Sequence, residues 1–191
     1  MPAEDIRYPI GRWVRKATVD ADDCAAMIQQ IATAPAEIAA AVKGLNDTQL
    51  DTPYREGGWS PRQIVHHIAD SHMNAYTRFK LGITEDNPTI KPYDEQLWSE
   101  TVDAKTAPVD VSLPIIDGVH RRWVQCLRSL DSKALARTIQ HPERGPMTLT
   151  DLLQLYSWQG CLELRGMLRM CHDQDPNRLH HQHPPSMRYP E

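Results

Sequence analysis

The segment of residues 85–109 constrains the fold most strongly, because it separates two helical stretches and is interrupted by prolines. Pro88, Pro92 and Pro108 exclude one long helix here, since proline lacks the amide hydrogen that an internal helical turn requires. The segment is also too long for a tight turn between helices. It predicts a long crossover connection, with room for a short helical turn near residues 93–100.

Four other stretches have the apolar spacing of helices, and their predicted spans are residues 22–43, 61–84, 110–130 and 148–171. The second has the clearest start, because Ser60 can cap it and Gln63 completes a capping box. Side chains at helical spacing in the third are predicted to face the core, namely Ile115, Val119, Trp123, Cys126 and Leu127. No stretch is convincing as a strand, so the sequence predicts an all-α four-helix bundle with the long crossover between the second and third helices.

A chain of 191 residues has the size of one domain and can bury a core without disulfides. We expect a single helical domain over residues 1–172, of which residues 1–20 form an extended arm. Residues 173–191 are rich in histidine and proline, and that composition is typical of a disordered tail.

Composition excludes several classes of function. The net charge of −4 gives no electrostatic basis for binding nucleic acid. No apolar run approaches the roughly 18 residues of a membrane span, and the N-terminus lacks the pattern of a signal peptide. The four cysteines lie far apart, which excludes zinc-ribbon and thioredoxin-like motifs and fits a reducing, cytoplasmic location.

Three histidines of the second predicted helix, His66, His67 and His72, are candidates for a site, but they cannot all point one way. His66 shares its stripe with Arg62, so it is expected to be solvated on a polar face. His67 is expected to face the bundle interior, and His72 lies on the flank of the same apolar face. Spacing alone leaves two interpretations of His67 open, a core histidine with satisfied hydrogen bonds or a metal ligand.

The second helix and the loop before it resemble the YfiT branch of the DinB-like superfamily. The resemblance is carried by the run Leu-Asp-Thr-Pro-Tyr-Arg-Glu-Gly-Gly-Trp-Ser-Pro-Arg-Gln-Ile-Val-His-His-Ile-Ala-Asp-Ser-His-Met-Asn-Ala-Tyr-Thr-Arg-Phe-Lys at residues 50–80. It extends over roughly residues 6–158 and includes Tyr8-Pro-Ile-Gly, the crossover residues 90–95 and His141-Pro142. Whether the sequence after Trp158 is native or follows a reading-frame shift stays open.

This resemblance implies a four-helix bundle, in many members a homodimer, that binds zinc or nickel through three histidines. The first ligand falls on His67, which Asp70 or Ser71 would orient. Counting from Trp158 without a gap places the other two on Leu162 and Gly166, whose side chains cannot bind a metal. Glu163, which shares a helix face with Gln159, is the substitute ligand considered. Either Glu163 or Cys161 could donate if the helix rotated by part of a turn.

The sequence is therefore consistent with two functions. The first is that of the family, a metal-dependent hydrolase or a thiol S-transferase acting on a small molecule, with a low-molecular-weight thiol as co-substrate in the second case. The second is a metal-free, non-catalytic bundle that binds a small molecule or dimerises. The sequence leaves catalysis by this chain undecided, because the donors implied on the fourth helix are missing.

Overall fold

The structure is a computed structural model that describes residues 11–53 and 55–174. Within these residues, four long helices form the bundle: α1 (Ala21–Val42), α3 (Pro61–Thr84), α6 (Leu113–Arg128) and α8 (Leu149–Gln174). α1 packs mainly against α8 and α6, and α3 packs mainly against the same two helices. α1 and α3 therefore occupy opposite corners, and the predicted all-α four-helix bundle is confirmed.

The helix starts follow from side-chain caps. Ser60 accepts a hydrogen bond from the Gln63 amide, and the Gln63 side chain accepts one from the Ser60 amide, which forms the predicted capping box of α3. Thr148 and Asp151 exchange the same pair of bonds at the start of α8. These caps fix where the two helices that carry the candidate site begin.

Short elements fill the connections. α2 (Asp47–Asp51) precedes α3, and the crossover contains α4 (Glu95–Ser99), α5 (Val102–Thr106) and a 3-10 turn at Val109–Val111. α7 (Ser132–Leu135) leads into an antiparallel hairpin of β1 (Thr138–His141) and β2 (Gly145–Thr148). The prediction that the chain has no strand was wrong, because strands of four residues are too short to show an alternating pattern.

The crossover is attached to the bundle at both ends. At its start, the Ile90 amide donates to the Gln140 carbonyl and the Gln140 amide donates to the Pro88 carbonyl, so β1 holds the chain beside it. At its far end, the Ala107 carbonyl accepts from both Arg62 and His66 of α3. The segment between these two attachments covers one face of α3.

The predicted arm and tail lie partly outside the described residues. Residues 11–20 have no helix or strand and run beside α8, where the Lys16 amide donates to Gln154 Oε1 and Arg15 pairs with Asp151 at 2.6 Å. Residues 1–10 and 175–191, which include most of the predicted disordered tail, are not described. No described helix is long and apolar enough to span a membrane.

The buried face of α6 differs from the predicted one. Trp123 and Leu127 are buried as expected, but Ile115 is 40% exposed while Ile116 and His120 are buried. The buried face of α6 is therefore rotated by one residue from the predicted one, and it includes the polar side chain of His120. The spacing of apolar residues could not reveal this, because it takes no account of a buried histidine.

Gly82 of α3 packs tightly against Ile139 of β1 and Leu149, the first residue of α8. A Cβ at this position would lie 2.6 Å from Leu149 Cδ2 and 3.0 Å from Ile139 Cγ2, and both of those side chains are fully buried. We expect Gly82→Ala to lower the free energy of unfolding by about 1–3 kcal/mol, because overpacking outweighs the gain in helix propensity. Urea unfolding measures this change.

Gly118 in α6 is the matched control. Apart from its own helical turn, no part of the described structure lies within 4 Å of the position that its Cβ would occupy. Gly118→Ala is therefore expected to raise the free energy of unfolding by up to about 1 kcal/mol. Equal effects of the two substitutions would contradict the close packing at Gly82.

Candidate functional site

A cavity of about 820 Å³ lies between α3, the start of the crossover, the hairpin and α8. α3 contributes His67, Ser71 and Arg78 to its walls, and α8 contributes Tyr156 and Glu163. Because these side chains come from two helices that pack against each other, the bundle itself sets their spacing. The cavity has the size expected for a small organic molecule.

His67 lies in the wall of this cavity, as its predicted inward orientation requires. Its side chain is 3% exposed, and its Nε2 donates to Glu163 Oε1 over 3.1 Å. The Trp59 ring packs on the imidazole with 4.6 Å between ring centroids. Burial opposes a charged imidazole, but the hydrogen bond and negative charge of Glu163 outweigh it, so the pKa of His67 is raised.

Glu163 is the partner that the structure gives to His67. Its Oε1 also accepts from Gln159 Nε2 over 2.8 Å, which confirms that Gln159 and Glu163 share a face of α8. Ser71 Oγ accepts from Gln159 Nε2 over 3.2 Å, so this hydrogen bond ties Ser71 to α8 and not to His67. Glu163 Oε2 is buried and has no hydrogen-bond partner among the described residues.

The donors at this place do not fit a three-ligand metal centre. Leu162 and Gly166 line the same cavity as His67, but neither side chain carries a donor atom. Cys161 lines a separate small pocket beside α1 and α6, away from His67. The described part of the chain contains no group of three histidine, cysteine, aspartate or glutamate side chains placed to hold an ion. A catalytic zinc site takes about three protein donors, and only His67 and Glu163 meet here.

His66 was predicted to be solvated, and that prediction was wrong. The side chain is buried, its Nε2 donates to the Ala107 carbonyl over 3.0 Å, and its Nδ1 lies 2.8 Å from Ser112 Oγ. Arg62 on the same stripe is also buried, and it bonds Asp47 and Asp51 of α2. This polar face of α3 is covered by α2 and the crossover, which a helical wheel of α3 alone does not reveal.

His72 belongs to a different buried cluster, behind the cavity. Its Nδ1 lies 2.7 Å from His120 Nε2, and His120 Nδ1 lies 2.6 Å from the Ile31 carbonyl. The Ile31 carbonyl lacks its usual helical donor because residue 35 is proline. A carbonyl only accepts, so His120 Nδ1 carries the hydrogen, and the neutral His120 ring accepts from His72 Nδ1. Burial lowers the pKa of both rings.

Comparison with known proteins identifies the fold that holds this cavity. A profile described as the DinB superfamily matches residues 30–159. The chain belongs to the DinB superfamily. The solved structure of YfiT from Bacillus subtilis superposes with a TM-score of 0.86 at 40% identity, over 90% of this chain and 98% of that one. That protein is described as a probable metal-dependent hydrolase with an unusual four-helix bundle topology.

Curated members of the DinB superfamily are closer in sequence. A Bacillus mycoides protein named "Putative metal-dependent hydrolase" is 51% identical over 157 residues, which are 82% of this chain and 90% of that one. A Bacillus cereus protein whose name begins with the same words is 51% identical over 156 residues. The predicted membership of the DinB-like superfamily, with its likeness to YfiT, is confirmed.

Several cavity residues were not anticipated from the sequence. Arg78, Tyr156 and His141 line the cavity, and His120 completes the cluster behind it. The one available signal was the helical spacing that puts Arg78 seven residues after Ser71 on the same face of α3. The hairpin that carries His141 had no such signal, because its strands were not predicted.

Proposed function

We propose that this chain binds a small organic molecule in the cavity beside His67 and Glu163, without a permanently bound metal ion. The observation that carries the proposal is the pairing of these two side chains. His67, the residue that the family resemblance makes a metal ligand, donates instead through its Nε2 to Glu163 Oε1 at 3.1 Å. An imidazole paired in this way needs no metal to satisfy its hydrogen bond.

The bundle does not need an ion for its stability. Two apolar clusters hold α1, α3, α6 and α8 together, and both are built from buried hydrophobic side chains. Burial of such clusters supplies most of the free energy of folding. A metal-free member of this fold therefore keeps its cavity.

A second candidate is the metal-dependent hydrolase activity after which the relatives are named. It is favoured by Glu163 Oε2, a buried atom without a hydrogen-bond partner among the described residues, which could join His67 as a ligand. Zinc or nickel held there would supply a Lewis acid, for hydrolysis or for transfer of a small thiol. The geometry gives no further support to this candidate, to the homodimer that the resemblance implies, or to the cytoplasmic location predicted from the sequence.

Elemental analysis separates the two candidates. The protein should be purified without a histidine-affinity step, because the histidines near the C-terminus would add loosely bound metal. We expect well below one zinc or nickel per chain after dialysis, and a melting temperature that a chelator does not change. One equivalent that survives dialysis and disappears in His67→Ala would overturn the metal-free proposal in favour of the hydrolase.

A further inference from the structure

The two ends of the cavity carry different sets of charged side chains, and Arg55, which donates to the Glu56 carbonyl, also lies in its wall. Glu163 lies beside His67 at one end, and the charge of Glu95 also acts on that imidazole. At the other end, Arg78 and Arg144 surround His141, whose pKa is lowered by burial and by both guanidinium groups. Glu143 is the one carboxylate whose charge acts on His141 there, and its influence is smaller than that of either arginine.

Arg78 is held in place by neutral partners. Its Nη1 donates to Tyr156 Oη over 2.6 Å, and its Nη2 donates to the Lys91 carbonyl over 3.3 Å. Its Nε is buried without a hydrogen-bond partner, and no carboxylate in the part of the chain described lies within ion-pair distance of the guanidinium. A half-buried arginine that is oriented but not neutralised is uncommon, since buried charges are normally paired.

Arg144 reaches the same end from the hairpin. It is exposed at the rim of the cavity, and its guanidinium lies 5.9 Å from the centroid of the Trp13 ring. Gly145 follows it at φ +75°, a left-handed conformation that turns the chain back into β2. The two cations therefore come from separate elements, α3 and the hairpin, and converge on one end of the cavity.

We propose that the Arg78–Arg144 end of the cavity binds an anionic group, a carboxylate or a phosphate, of the small molecule that the cavity takes. This inference rests on the proposed function and deepens it by naming the substrate class. Guanidinium groups are the preferred partners of both anions, because their N–H donors match the spacing of two oxygen atoms. Tyr156 adds a hydroxyl whose oxygen already accepts from Arg78, so its hydrogen is directed to another acceptor.

The opposite end fixes the direction of binding. The carboxylates of Glu163 and Glu95 repel an anion near His67, so the charged group of the ligand is expected to lie away from that pair. The uncharged part of the ligand then extends toward His67, along the aromatic rings of Trp59, Tyr93 and Trp158 that line the cavity.

Binding of three simple aromatic probes tests this inference. Benzoate and phenyl phosphate carry the two anionic groups, and benzamide is the neutral analogue of benzoate. Titration calorimetry and the fluorescence of Trp59 and Trp158 report binding. We expect at least one of the two anions to bind about tenfold or more tightly than benzamide, as for charge-assisted hydrogen bonds. The tighter of the two identifies the anionic group.

Substitutions locate the binding end. Arg78→Gln and Arg144→Gln should each reduce the affinity for the anion about tenfold and leave that for benzamide unchanged. Arg144 is exposed, so Arg144→Gln is expected to leave the fold intact and remains informative if Arg78→Gln disturbs folding. Arg121→Gln is the matched control, because Arg121 is exposed on α6 and pairs only with Asp117 at 3.7 Å among described carboxylates.

The outcomes separate this inference from the proposed function. If benzamide binds as tightly as both anions, or if both arginine variants keep full affinity for the anion, the anionic subsite is overturned while the binding cavity stands. If none of the three probes binds at millimolar concentration, the proposed small-molecule function fails as well.

Discussion

Histidines at positions 162 and 166 should give this chain a tight zinc or nickel site. Leu162 and Gly166 lie four residues apart on α8, and both line the cavity that contains His67. Beyond its own helical turn, no described residue comes within 4 Å of the position that a Cβ at Gly166 would occupy, so we expect a side chain to be accommodated there. Leu162→His with Gly166→His would therefore place three imidazoles around one point, the number of protein ligands that a catalytic zinc takes.

The expected gain in affinity is large. Zinc bound by a full set of protein ligands has an apparent free energy of about 10–16 kcal/mol, or roughly 3 kcal/mol for each ligand. Two added imidazoles should therefore tighten zinc binding by on the order of ten thousandfold. Competition with a chromophoric chelator measures the dissociation constants of the variant and of the unchanged chain.

The double variant Leu162→Ala with Gly166→Ala is the matched control, because it changes the same positions without adding donors. It should bind zinc no better than the unchanged chain. His67→Ala in the two-histidine background should remove most of the gain. A folded two-histidine variant that binds zinc no better than the control would show that positions 67, 162 and 166 do not share a metal site.

Replacing His120 should produce the largest loss of stability. His120→Leu keeps an apolar side chain of similar size but leaves the Ile31 carbonyl and His72 Nδ1 without their partners. Each buried polar group left unpaired costs about 1–3 kcal/mol, so the free energy of unfolding should fall by about 3 kcal/mol. Urea unfolding monitored by circular dichroism measures the loss.

Pro35→Ala provides an internal check on the cause of that loss. Alanine restores an amide hydrogen at position 35, which can donate to the Ile31 carbonyl within α1. Pro35→Ala should therefore stabilise the His120→Leu variant by about 1 kcal/mol more than it stabilises the unchanged chain. An equal effect in both backgrounds would show that His120 does not serve as the partner of Ile31.

The same cluster makes stability depend on pH. His72 and His120 have folded-state pKa values below the usual 6.5, so below that pH the unfolded chain binds more protons. Their contribution to the free energy of unfolding is complete above pH 6.5, and it declines as the pH falls toward their folded-state pKa values. The pKa of His67 is raised, so its contribution to the free energy of unfolding is present at low pH and is lost as the pH rises through its folded-state pKa. The His120→Leu variant should lose less stability than the unchanged chain between pH 6.5 and pH 5.

The parts of this structure that could be predicted are those in which neighbouring residues determine the outcome. The capping box at Ser60 and Gln63 and the inward face of His67 depend on a single helix, and both were predicted from its spacing. The prolines of the crossover likewise excluded a continuous helix without reference to the rest of the fold. The resemblance to the DinB-like superfamily supplied how these helices are connected.

The parts that could not be predicted depend on contacts between distant segments. His66 is buried because Ala107 and Ser112 cover it, and these residues lie more than 40 positions away in the sequence. His120 pairs with Ile31 across 89 positions, for a reason that involves Pro35 in another helix. Glu163 was predicted only as a substitute metal ligand, and its hydrogen bond with His67 was not predicted, because helical spacing does not specify how two helices are rotated against each other.

The two attachments of the crossover have a consequence for how the cavity opens. Residues 91–106 lie between the β1 attachment and the Ala107 carbonyl, and Tyr93 and Glu95 in this stretch form part of the cavity wall. Releasing this stretch would break the hydrogen bonds that Lys91 and Ser99 accept from Arg78 and Gln63 of α3, but it would leave α1, α3, α6 and α8 packed against each other. Local unfolding therefore requires less free energy than global unfolding here. Such an opening of residues 91–106 would widen access to the cavity while the four-helix scaffold stays folded.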